Sequence, residues 1–66
     1  MTISLNGKDS ETRGATTVAE LVTAYDLSPQ SVLIEHNGTA LHRREWPQRR
    51  LAEGDKIEMV RVVAGG

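Results

Sequence analysis

Sixty-six residues, 38% of them hydrophobic and 26% charged, make one domain at most, and a core of that size supplies only about 3–5 kcal/mol of stability. The absence of cysteine excludes disulfides, thiolate metal sites and a cysteine nucleophile, so regular backbone pairing must hold the chain together. Nine acidic and eight basic residues leave a net charge of −1, which argues against a general attraction to nucleic acid.

The longest apolar runs, at residues 32–34 and 62–64, are far short of the roughly 18 residues that a membrane span needs. No signal peptide is visible at the N-terminus. The expectation is a small cytoplasmic protein without a membrane segment.

Thr2, Ile3, Ser4 and Leu5 alternate polar with apolar, the period of a half-buried strand, and Asn6-Gly7 follows as a strong hairpin signal. The return strand, residues 8–13, has no large apolar side chain and belongs at a sheet edge; Gly14 breaks it. Thr17 and Glu20 have the spacing of a capping box, with the Thr17 hydroxyl accepting from the Glu20 N–H and the Glu20 carboxylate reaching back to Thr17. Val18, Leu21, Val22 and Tyr25 then form one buried helical face, and the helix is expected to end over residues 26–29 because Pro29 cannot continue it. Residues 31–36 read as a central strand, with Asn37-Gly38 turning into a short partner at residues 39–41.

Residues 42–50 are polar, contain Pro47 and Trp46, and read as an irregular or briefly helical crossover that Leu51 pins to the core. Glu53, Gly54 and Asp55 make a turn into a last strand over residues 56–63. Its alternation puts Ile57 and Met59 on one face and Glu58, Val60 and Val62 on the other. The order β-β-α-β-β-β describes an α+β fold in which one helix covers one face of a mixed sheet of four to five strands. The last strand can then pair beside the first and release the C-terminus as a tail.

A search for chemistry removes most of the chain from contention. His36 and His42 have no second ligand at metal spacing, and His36 reads as a structural histidine on the face of Val32 and Ile34. No nucleophile elbow or phosphate-cradling glycine loop occurs. Glu53 and Asp55 flank a turn glycine and read as a solvated turn rather than an acid/base pair. Arg43, Arg44, Arg49 and Arg50 bracket Trp46, a pattern compatible with RNA contact. Glu45 interrupts it and only one aromatic is available, so a solvated loop is the preferred account, with an acidic partner surface as the intermediate one.

What remains is Gly65-Gly66. Two residues without Cβ can enter a channel too narrow for other side chains, with Gly65 as clearance and the Gly66 carboxylate as the reacting group. Adenylation of that carboxylate makes its carbonyl electrophilic, and transfer to a sulfur nucleophile can leave a thiocarboxylate. The catalysts would be partners, and the chain itself no enzyme. Joining Gly66 to lysine amines as a protein modifier, and a binding module built on the arginines, are the other readings left open.

In chain order, Asn6-Gly7, Thr17-Val18-Ala19-Glu20-Leu21, Asn37-Gly38, Arg43 with Trp46, Leu51, Gly54-Asp55, Ile57 and the closing Val62-Val63-Ala64-Gly65-Gly66 resemble the thiamine-biosynthesis sulfur carriers of the ubiquitin-like β-grasp family. The resemblance implies a carrier domain over residues 1–64 and a flexible diglycine tail over residues 65–66. It further implies adenylation of Gly66 by a ubiquitin-activating-like adenylyltransferase that uses ATP, a sulfur donor such as a cysteine desulfurase, and delivery of sulfur to thiazole synthase. No bound cofactor or metal is implied. Val60, Arg61 and Val62 are the candidate docking residues, Val60 and Val62 as apolar side chains outside the core. Carriers for molybdopterin, transfer-RNA thiolation or cysteine synthesis share the same chemistry.

Overall fold

The computed structural model describes residues 1–62. It contains β1 (Thr2–Leu5), β2 (Lys8–Glu11), α1 (Val18–Ala24), β3 (Val32–His36), β4 (Thr39–Leu41) and β5 (Lys56–Arg61), with 3-10 turns at Pro29–Ser31 and Arg43–Gln48. The sheet order is β2-β1-β5-β3-β4; β1 and β5 run parallel, and the other neighbours antiparallel. The element order and the mixed sheet are those expected, with β2 at an edge and the last strand beside the first. Both Asn-Gly pairs adopt left-handed backbone, φ 51° and 83° at Asn6-Gly7 and 50° and 86° at Asn37-Gly38, as a two-residue hairpin turn requires.

Three local expectations need correction. β2 ends at Glu11 rather than Arg13: one more bond forms, from the Thr12 N–H to the Met1 carbonyl at 3.0 Å, before Arg13 and Gly14 turn left-handed at φ 57° and 86°. At the start of α1, the Thr17 hydroxyl does accept from the Glu20 N–H at 3.2 Å, but the Glu20 carboxylate takes the N–H and hydroxyl of Thr16, both at 2.7 Å. Thr17 lies opposite Arg50 in an antiparallel bridge, flanked by bonds from the Val18 N–H to the Arg49 carbonyl and from the Leu51 N–H to the Thr16 carbonyl, both 2.9 Å. At the other end, Asp26 stops the helix before Pro29 is reached. It sits at φ 56° while the Leu27 N–H returns to the Val22 carbonyl at 3.1 Å and the Asp26 N–H to the Thr23 carbonyl at 3.0 Å, the paired bonds of a Schellman motif.

Val18, Leu21 and Val22 pack on Ile3, Ile34 and Ile57 from the sheet, and Trp46 and Leu51 from the crossover close the same core. β5 is bonded at both flanks by side chains as well as strands. The Asn6 amide accepts from the Met59 N–H at 2.7 Å and donates to the Met59 carbonyl at 3.1 Å. The Asn37 amide oxygen accepts from the Lys56 N–H at 2.8 Å, while the Asn37 backbone N–H donates to the Lys56 carbonyl at 2.7 Å. Each hairpin asparagine therefore turns its own chain and also extends the bonding of a neighbouring strand.

The turn before β5 is not the solvated one expected. Asp55 is only 13% exposed; its carboxylate meets the buried His36 ring at 2.7 Å and accepts from the Asn37 amide at 3.1 Å and the Ala52 N–H at 2.8 Å. Glu53 accepts from the Thr2 N–H at 3.1 Å. Burial opposes the charge on Asp55, yet the hydrogen bonds from His36, Asn37 and Ala52 outweigh it and hold the carboxyl below its ordinary value. His36 is thereby the satisfied structural histidine expected of it.

Replacing Asp55 with Ala strands buried donors and should cost about 2–3 kcal/mol, a fall in Tm of roughly 10 °C or more for a domain this small. The folded Asp55 binds its proton less tightly than the unfolded residue, so its contribution is complete above the unfolded value near 3.8 and is lost as pH falls through the lower folded value. Melts of wild type and Asp55→Ala should therefore converge as the solution is acidified through that window; a constant difference would contradict the assignment.

Candidate functional site

β5 delivers the chain toward its C-terminal end, and its alternation sorts the residues there. Ile57 is buried and Met59 half-buried toward the helix, while Lys56, Glu58 and Val60 face away from the core; Val62 lies just beyond the last strand residue, Arg61. Val60 is 56% and Val62 45% exposed, as the alternation implied. Leu33 of β3, 61% exposed and directly opposite Val60, completes the patch and was not singled out from sequence. The signal existed: Val32 and Ile34 point inward, so period two turns Leu33 outward, but the three residues read as one apolar run.

Arg61 does not share that face. It pairs across the sheet with Val32, so its side chain lies on the helix side. There it lines a groove with Asp26, Leu27, Ser28, Ser31 and Val62 at the C-terminal end of α1. The Val62 N–H then donates to the Ser31 carbonyl at 2.7 Å, fixing where the chain leaves the sheet. Gly65 and Gly66, the expected reacting end, lie outside the described residues, as do Val63 and Ala64.

The open face is acidic. Register puts Glu35 directly opposite Glu58, and places Asp9 and Glu11 opposite Ser4 and Thr2; Lys56, 3.7 Å from Glu58, is the lone basic residue at a strand position of this face. The Thr2 hydroxyl, donating at 2.6 Å, and the terminal ammonium, at 3.5 Å, hold Glu11 below the usual carboxylate range.

The arginines gather elsewhere. Arg43 and Arg44 are exposed on the crossover turn, Arg49 meets Glu45 at 3.7 Å, and Arg50 sits opposite Thr17 at the N-terminal end of α1. Trp46, which an RNA contact would need for stacking, is 4% exposed and packed in the core. That finding removes the aromatic half of the pattern. No group of three or more metal-ligating side chains occurs among the described residues, and none of their helices is long and apolar enough to cross a membrane.

The profile of the ThiS family matches residues 3–66. The chain belongs to the ThiS family. The crystal structure of the thiamine biosynthesis protein ThiS from Geobacter metallireducens superimposes with a TM-score of 0.82 at 32% identity, over the whole of both chains. The solution structure of a thiamine biosynthesis protein from the same organism gives 0.80 at 32% identity, covering all of this chain and 88% of that one. A thiazole synthase from Magnetococcus marinus is 32% identical over 66 residues, which are all of this chain but 20% of that protein. An uncharacterised protein, ycf40, of Trieres chinensis is 26% identical over 65 residues, covering 98% of this chain and 89% of that protein. These likenesses give the β-grasp fold and support a sulfur-carrier role in thiamine biosynthesis.

Within this ThiS-family chain Trp46 is the sole tryptophan, so its fluorescence reports the core alone. Emission should be blue-shifted, resistant to iodide, and unchanged on adding single-stranded RNA. Quenching by RNA in the folded protein would restore the stacking interpretation.

Proposed function

We propose that the chain carries sulfur as a thiocarboxylate on Gly66 for assembly of the thiazole ring of thiamine. The observation that carries the reading is the extent of the family match, which runs through the last strand and includes Gly65 and Gly66. A carboxylate oxygen of Gly66 attacks the α-phosphorus of ATP on an adenylating enzyme and pyrophosphate leaves. A persulfide sulfur from a donor protein then attacks the carbonyl carbon, expelling AMP and forming an acyl disulfide. Attack of a second thiol on the donor's sulfur in that disulfide leaves the other sulfur on the glycine and makes a new disulfide with the donor. The thiocarboxylate is a soft nucleophile able to pass its sulfur to a synthase. ATP is used in the partner's site, and the work fits a cytoplasmic setting.

The chain's part is to be recognised and to present its end. Gly65 gives backbone clearance in a narrow channel, and the folded body supplies a rigid handle. Thiazole synthase is the acceptor that best fits, because a thiazole synthase contains a segment similar to this whole chain.

The test is intact-mass analysis after incubation with the adenylating enzyme, ATP and a persulfide donor. The full chain should gain one sulfur in place of one oxygen, and deletion of Gly66 should abolish the product while leaving the melting curve unchanged. A chain that instead accumulates as lysine conjugates, with no thiocarboxylate, would support the modifier role and overturn this one.

A further inference from the structure

We infer that the crossover is a docking surface in its own right, on which Arg43, Arg44, Arg49 and Arg50 hold a protein surface rich in aspartate and glutamate. Arg43 and Arg44 open the 3-10 turn, Arg49 closes it, and Arg50 follows in the bridge to Thr17. Arg43, Arg44 and Arg50 are exposed and make no ion pair among the described residues; Arg49 meets Glu45 at 3.7 Å. Glu20, which lies near Arg50, is already engaged, since its carboxylate accepts from the N–H and hydroxyl of Thr16. Most of the positive charge gathered here therefore has no answer within the fold.

The segment that carries these arginines is fixed before any partner arrives. The Glu45 carboxylate accepts from the His42 N–H at 2.8 Å, the Arg49 N–H donates to the Trp46 carbonyl at 3.3 Å, and the buried Trp46 ring anchors the turn in the core. A surface already held in place loses little freedom on binding, and the planar guanidinium fork matches a carboxylate with two parallel bonds. The large exposed hydrophobics among the described residues, Met1, Leu33, Val60 and Val62, all lie elsewhere, so the crossover offers nothing to insert into a lipid surface. Burial of Trp46 removes the stacking platform that RNA would use, and the Glu45 carboxylate repels phosphate. Charge complementarity therefore selects protein carboxylates.

Location separates this surface from the end of β5. The Val18 N–H bonds the Arg49 carbonyl at the N-terminal end of α1, whereas the groove that Arg61 and Val62 line lies at the C-terminal end, beside Asp26 and Leu27. The seven residues of the helix hold the two places about 10 Å apart. A partner seated on the crossover can thus leave Arg61, Val62 and the open sheet face uncovered, and its binding does not depend on the chemistry of Gly66.

The experiment titrates the full chain with a decaglutamate peptide at low salt, followed by backbone amide NMR and calorimetry. Shifts should gather over residues 43–50 and be absent at Leu33 and Val60, and affinity should fall as salt is added. Arg43→Gln with Arg44→Gln should weaken binding about tenfold at an unchanged Tm, because both side chains are exposed. Lys8→Gln with Lys56→Gln, which removes the same charge elsewhere, should bind as wild type does. Equal losses in the two double variants overturn the inference, since net charge alone would then explain the binding. Tighter binding of single-stranded decauridylate than of decaglutamate overturns it in favour of nucleic acid. A concentration-dependent self-association that the arginine substitutions abolish overturns it in favour of a second copy, whose acidic open face would then be the occupant.

Discussion

The position of β5 is the constraint on which the rest depends. It lies between β1, parallel, and β3, antiparallel, so it must be bonded on both edges for the two hairpins to join in one five-stranded sheet. The strand ladder alone does not reach far enough on the β1 side, where only two residue pairs are in register. The Asn6 amide extends that edge to Met59, and Asn37 with Asp55 secures the other end at Lys56 and the turn before it. Loop closure between strands so distant in sequence is costly, and these side-chain bonds help to repay it. Placing β5 also places Val62, which follows directly and is bonded to Ser31.

Period two along β5 then divides labour between two faces. One face carries Ile57 into the core under α1; the other carries Glu58 and Val60 away from it. Charge is divided as well. The open face is acidic at its strand positions while Arg43, Arg44, Arg49 and Arg50 gather on and beside the crossover, so a net charge near zero conceals a polarised molecule. Such an arrangement favours oriented encounter with a partner over indiscriminate adhesion.

The elements with strong local determinants were legible in the sequence. Two Asn-Gly turns, a threonine cap and a period-3.6 face sufficed for both hairpins and α1, because backbone sterics and one buried stripe specify them. What stayed hidden depends on contacts between residues far apart in the chain. Asp55 gives no sign from its neighbours that it will meet His36, nineteen positions away, and Asn6 none that it will bond Met59. The outward turn of Leu33 and the helix-side position of Arg61 required strand register as well as alternation. The diglycine end lies outside the described residues, and the exposed face of β3 and β5 required the folded sheet to be seen.

The most direct measurement follows sulfur itself. Cells given cysteine with isotopically labelled sulfur should show the label first on the C-terminal residue of this chain, and then, in a chase with unlabelled cysteine, in the thiazole ring of thiamine as it leaves the chain. Labelling of the thiazole at the normal rate while the chain never carries sulfur, or while the chain lacks Gly66, would contradict the account.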